Sequence, residues 1–103
     1  PKQIFTTYPT FILHPGIIGD KGAYSIDNAL KDDKKQWGVV ILRANDDFDG
    51  GDIYANIDFT MRDTTKSSIY RNEAFYAGID ALEILLQNLQ DKNFVSIKQL
   101  STP

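Results

Sequence analysis

The chain has 103 residues, 42% hydrophobic and 24% charged, with a net charge of −3 and no cysteine. That length and balance fit one globular domain with a core of its own, and they speak against disorder. The absent cysteines exclude disulfides, thiolate metal sites and thiol nucleophiles. The acidic balance argues against a nucleic-acid partner, and no apolar run approaches the roughly 20 residues that span a bilayer.

The opening PKQIFTT has no basic stretch leading into an apolar one, so no signal peptide is expected. The start at Pro1 points to processing, and a cytoplasmic protein is the simplest expectation. Residues 2–14 are rich in β-formers, from Ile4 to Tyr8 and again from Thr10 to Leu13. Pro9 interrupts the run, which predicts an edge strand or two short pieces. Pro15-Gly16 suits a type II turn. Gly16, Gly19 and Gly22 keep residues 17–35 irregular, Ser25 offers a cap for a short helix through Leu30, and KDDKK at 31–35 reads as a solvated turn.

Trp37 to Ala44, WGVVILRA, is apolar on both alternating faces, as a central strand would be. Asp46 to Asp52 is a loop, and Asp49-Gly50-Gly51 is a hairpin signal. From Ile53 to Arg62 the pattern alternates: Ile53, Ala55, Ile57, Phe59 and Met61 point one way, and Tyr54, Asn56, Asp58, Thr60 and Arg62 the other. Residues 63–71 form a polar connection in which Thr64, Thr65, Ser67 and Ser68 serve as turn and cap residues.

Asn72 to Asn93 is the most periodic stretch. Phe75, Ile79, Leu82, Leu86 and Leu89 fall on one narrow helical stripe, flanked by Gly78, Ala81 and Leu85. Asp80, Glu83, Gln87, Gln90 and Asp91 lie opposite. The stripe is expected to pack on the sheet, with Leu82 and Leu86 against Ile57 and Phe59. Lys92 suits the last turn, Asn93 the left-handed conformation, and Phe94 would fold back on Leu89 in a Schellman-type cap. Phe94 to Leu100 reads as a last strand, with Phe94 or Val95 and Ile97 facing inward. The order predicts an α+β fold over residues 1–103 as a single domain: a mainly antiparallel sheet with one long amphipathic helix packed on one face.

Catalytic signals are few. His14 is the one histidine; nothing adjacent in sequence orients it, so it reads as a turn residue rather than a general base. Asn45, Asp47, Asp49 and Gly50 follow the opening of an EF-hand loop. Asn56 stands where a bidentate Glu is needed and Asp52 where an apolar residue is needed, so no calcium site is expected. Gly16, Gly19 and Gly22 lack the Lys-Ser/Thr of a phosphate loop, and no G-x-S-x-G surrounds Ser67-Ser68. Neither a metal site nor a cofactor is expected, and the chain does not read as an enzyme.

Binding signals are stronger. Asp46, Asp47, Asp49, Asp52 and Asp58 lie close together, countered nearby by Arg43 and Arg62, and such a patch steers a basic partner. Phe48 is the apolar anchor within that loop. Tyr76, Asp80 and Ile84, on the polar side of the helix, make a second candidate face for a partner, unless segment 17–35 folds over them.

A short, acidic, cysteine-free α+β chain without a catalytic motif is similar in type to the bacterial immunity proteins. Gly78, Ile79, Asp80, Ala81, Leu82 and Leu85 also match a helix of the form G-[IV]-D-[AS]-[LV]-x-x-L seen in small bacterial proteins. That resemblance implies tight binding to a toxin domain, often a nuclease with a basic cleft. The alternative is a small-molecule-binding α+β domain, with a pocket between helix and sheet lined by Trp37, Tyr54 and Tyr76.

Overall fold

The computed structural model describes residues 10–18, 25–44 and 51–98. Three strands form an antiparallel sheet in the order β1-β2-β3: β1 (Phe11–His14), β2 (Gln36–Arg43) and β3 (Ile53–Thr60). A short helix α1 (Ser25–Lys31) links β1 to β2. After β3 the chain turns into α2 (Lys66–Ile69), a π turn (Tyr70–Ala74) and the long helix α3 (Phe75–Gln90). This is the expected α+β arrangement, and the hairpin β2–β3 is in place. No helix among the described residues is long and apolar enough to cross a membrane.

β2 is the central strand because nearly every side chain on it is apolar, and all but its two end residues are buried. Gly38 is required by a close approach: a Cβ there would lie 2.6 Å from Asp58 Oδ1 and 2.7 Å from the Ile57 carbonyl oxygen. One face carries Trp37, Val39, Ile41 and Ala55 into a core shared with Ile26, Ile69, Ala77, Ala81 and Leu85. Val40, Leu42 and Ile53 form a second buried cluster.

That division corrects the expected alternation of β3. Ala55 pairs with Ile41 and Ile53 with Leu42, so the register shifts by one residue and Tyr54 is the extra one. A bulge reverses the side-chain parity on its far side. Ile53 therefore joins Val40 and Leu42, while Tyr54 turns inward and meets Phe11 edge-on at 5.1 Å.

The helix begins earlier than expected. Residues 66–71 are helical rather than a connection, and Thr65 caps them by accepting the Ser68 N–H at 3.2 Å. Arg62 grips this start: Nε donates to both Glu73 carboxylate oxygens at 3.0 Å, and Nη2 donates to Oε1 at 2.7 Å and to Ser68 Oγ at 2.8 Å. Ile69 and Ala74 are both buried, five residues apart, which is the spacing of the π turn between them.

The larger correction concerns which face of α3 meets the sheet. Ala77, Ala81 and Leu85 are buried, whereas Phe75 is 56% exposed, Ile79 43%, Leu82 51%, Leu86 53% and Leu89 51%. Leu82 and Leu86 are therefore not packed on Ile57 and Phe59. The core-facing arc is turned about 120° from the bulky stripe, at 100° per residue. The small side chains Ala77 and Ala81 let the helix axis approach the sheet closely, and the expected flank becomes the contact.

The ends differ too. The Schellman cap belongs to α1. Asp33 is left-handed at φ 53°, Lys34 N–H reaches the Ala29 carbonyl at 2.9 Å, and Asp33 N–H reaches that of Leu30 at 3.2 Å. At the end of α3, Asp91 is extended and its carboxylate accepts the Asn93 N–H at 2.9 Å, while the Phe94 ring packs on Tyr54 at 5.5 Å. In place of a last strand, Ile97 forms an isolated antiparallel bridge with Ile53, and Val95 faces outward.

Candidate functional site

The best-built polar arrangement lies at the end of β1. Antiparallel pairing sets His14 opposite Val40, and His14 is 3% exposed. Its Nε2 lies 3.3 Å from Ser25 Oγ, at the first turn of α1, and Ser25 is equally buried. The backbone that follows is fixed at two more points. Gly16 N–H donates to the His14 carbonyl at 2.9 Å, which closes a three-residue turn over Pro15 instead of the expected type II turn. The Trp37 indole N–H donates to the Pro15 carbonyl at 3.0 Å. One ring nitrogen of His14 thus has a side-chain partner inside the fold. The expectation of a plain turn histidine rested on the lack of an adjacent orienting group. Ser25 supplies one from eleven positions away; no sequence neighbour signals it, although a histidine closing a strand before Pro-Gly marks the place.

Two apolar depressions lie between the sheet and the helical layer. One, of about 240 Å³, lies between Leu13, Pro15, Val39, Tyr70, Ala74 and Phe75. The other, of about 100 Å³, lies between β3 and α3, where Tyr54, Ile84, Asn88 and Phe94 meet. Asn88 Nδ2 closes part of it by donating to the Tyr54 carbonyl at 2.7 Å. A pocket lined by Trp37, Tyr54 and Tyr76 is not formed: Trp37 is core, Tyr76 is 63% exposed and Tyr54 alone lines a depression.

The expected partner-binding residues are dispersed. Asp46, Asp47, Phe48 and Asp49, with the rest of the EF-hand-like opening, lie outside the described residues. Asp52 is half-buried; its carboxylate accepts from Ser96 Oγ at 3.4 Å and its carbonyl from Arg43 N–H at 2.9 Å. Tyr76 and Asp80 are exposed on α3, with the Tyr76 ring against Phe75 at 5.4 Å. Ile84 is half-buried against the core. Among the described residues no group of acidic and histidine side chains could hold a metal ion.

The Arg62–Glu73 pair shifts the ionisation of both its members. The hydrogen bond from the Arg62 guanidinium holds the Glu73 carboxyl below the usual carboxylate range, and the same bond raises Arg62. It joins the end of β3 to the π turn and reads as structural.

No protein-family model matches the chain. It is 37% identical over 82 residues to the hydrogenase maturation factor HoxX of Bradyrhizobium diazoefficiens, a match that covers 80% of this chain and 14% of that protein. The crystal structure of HypX from Aquifex aeolicus in complex with tetrahydrofolic acid superposes with a TM-score of 0.93 at 34% identity, covering 100% of this chain and 18% of HypX. Phosphoribosylglycinamide formyltransferase from Campylobacter jejuni shares the fold, with a TM-score of 0.72 at 21% identity over 85% of this chain and 47% of that enzyme. The chain thus spans under a fifth of the maturation factors that it matches. These likenesses overturn the resemblance to immunity proteins and, with it, the expected toxin partner. They also correct the expectation of a non-enzyme, which rested on missing motifs: the likenesses run to maturation factors and to the fold of a formyltransferase.

Proposed function

We propose that this chain is part of a tetrahydrofolate-binding hydrogenase maturation factor of the HoxX/HypX kind, and that it forms one portion of a formyltransferase-like unit. The observation that carries this reading is the correspondence with HypX along the whole chain, with a TM-score of 0.93 at 34% identity. The ligand class is a reduced folate that carries a one-carbon group, in keeping with the expected alternative of a small-molecule binder. A cytoplasmic location goes with this reading.

The local chemistry supports it. Moving a formyl group from a folate nitrogen to an acceptor requires one proton to leave the acceptor and one to reach the departing nitrogen. A side chain that can both accept and donate a proton serves both steps. His14, buried and oriented by Ser25, is the described group suited to that task. The fit to the folate itself is partial. The depressions of about 240 and 100 Å³ fall below the roughly 300–1,000 Å³ of a ligand pocket, so this chain supplies one wall and the remaining polypeptide the others.

The test is a chimera of Aquifex HypX in which the matching segment is replaced by these 103 residues, titrated with tetrahydrofolate by calorimetry. Retained binding is expected. A folded chimera that takes up no tetrahydrofolate refutes the reading. Within the chimera, His14→Asn should leave folate affinity nearly unchanged and reduce consumption of formyltetrahydrofolate.

A further inference from the structure

β1 ends at His14, and Pro15 has no N–H with which to continue the ladder. Two hydrogen bonds set the path of the chain from there, and both involve the peptide group between Pro15 and Gly16. Its N–H donates to the His14 carbonyl at 2.9 Å, and its oxygen accepts the Trp37 indole N–H at 3.0 Å. The oxygen and the N–H of a trans peptide point opposite ways, so this one plane is held at both poles. It is the plane that would turn most easily without such a hold. Pro-Gly turns of different type are related by a flip of the peptide between the two residues, and glycine accepts either orientation. Trp37 is the single tryptophan of the chain. It is 6% exposed and packs in the core with Val39 and Ile41. A phenylalanine would fill most of that space. The indole adds one donor, and the acceptor that it takes is the main-chain carbonyl one residue past His14.

We propose that Trp37 is a positioning residue for the formyl transfer: its indole N–H locks the Pro15–Gly16 peptide in one orientation and so fixes where the backbone presents the His14 imidazole. This inference rests on the reading above, which gives His14 the handling of the proton. The ring is restrained at two levels. At its tip, Nε2 lies 3.3 Å from Ser25 Oγ. At its base, the Cα–Cβ bond points where the torsions of residues 14–16 direct it. Pairing with Val40 holds the strand side of that base, and the clamped peptide holds the turn side. Ser25 acts on the tip, whereas a flip of the Pro15–Gly16 plane would carry the base with it and break both bonds to that plane. Proton transfer tolerates little such movement, since a misplacement of about 1 Å can cost about 100-fold in rate. Trp37 supplies the restraint from β2, whose residues are buried from Trp37 to Leu42, so the donor is itself well anchored.

The experiment removes the indole N–H and reads the effect on His14. Trp37→Phe enters the HypX chimera beside His14→Asn, the double variant and Ile41→Val as a core control. Consumption of formyltetrahydrofolate at saturation should fall about tenfold or more in Trp37→Phe, with tetrahydrofolate affinity held within about twofold. The double variant should turn over no more slowly than His14→Asn alone, because Trp37 acts through the histidine. Losses that multiply, or a loss matched by Ile41→Val, make Trp37 a packing residue and overturn the proposal. In the 103-residue chain, benzothienylalanine in place of the single tryptophan keeps the ring volume and deletes the donor, which covers a phenylalanine variant that fails to fold. The His14 ring signals in NMR spectra should then shift and broaden while Tm changes little. Unmoved His14 signals overturn the proposal whatever the chimera binds. A folded chimera that takes up no tetrahydrofolate sinks the functional reading and leaves the His14 comparison in the chain intact.

Discussion

Truncating Leu85 to alanine in the 103-residue chain should destabilise it far more than truncating Leu82, although both lie on the same helix, three residues apart. Leu85 is 5% exposed and belongs to the core shared with Val39, Ile41, Ala77 and Ala81. Its replacement removes the burial of a side chain and leaves a cavity against a strand that cannot move inward, a loss of about 2–5 kcal/mol. Leu82 is 51% exposed, so only part of its surface leaves water on folding and no closed cavity follows. With full burial of a leucine worth about 1.5–3 kcal/mol, its loss should be about 1 kcal/mol or less. Urea melts followed by far-UV circular dichroism would resolve the pair. With a slope of about 1.5 kcal/mol per molar, a 3 kcal/mol loss moves the midpoint by about 2 M. A domain of this size has about 5–15 kcal/mol in total, so Leu85→Val serves as the milder variant if the alanine form is mostly unfolded. Equal shifts for Leu82→Ala and Leu85→Ala, or the reverse order, would refute the assignment of the core-facing arc.

Glu73→Gln should flatten the acid side of the stability profile. Arg62 depresses the folded-state pKa of Glu73, so this pair contributes stability above the unfolded carboxylate pKa and loses it as pH falls through the folded value. Urea midpoints measured from neutral pH downward should fall less steeply in the variant than in the parent. Gly38→Ala should cost about 1–3 kcal/mol, because the new methyl meets the Ile57 carbonyl oxygen, which is held in the β2–β3 ladder. An unchanged thermal midpoint would contradict that close approach. Thr65→Ala should cost about 0.5–2 kcal/mol through loss of the cap to Ser68 N–H, and Thr64→Ala much less, as calorimetry can compare. Ser25→Ala should cost about 1 kcal/mol and broaden the His14 ring signals in NMR spectra, since the ring loses a contact that fixes its plane.

Much of the framework follows from local pattern. The β-branched run of β2, the alternation of β3 beyond residue 55 and the periodicity of α3 each specify an element through backbone preference and spacing. Thr65 as a cap is equally local, because a hydroxyl three positions before a free N–H needs no tertiary context. The face of α3 is another matter. Periodicity shows an apolar arc, and the bulkiest residues in it invite the assignment to the core. The sheet instead selected the flank with Ala77 and Ala81, since small side chains bring helix and strands within contact, while the bulky stripe stays half-exposed. The inward turn of Tyr54 depends on pairing with Leu42 and Ile41, because a bulge is a property of two strands and leaves no mark on one. The His14–Ser25 contact joins the end of a strand to the start of a helix, and only their packing brings the two side chains within reach. Function was the least legible part. A reading built on missing motifs led to an acidic binding protein, whereas the likeness is to hydrogenase maturation factors of which this chain spans under a fifth.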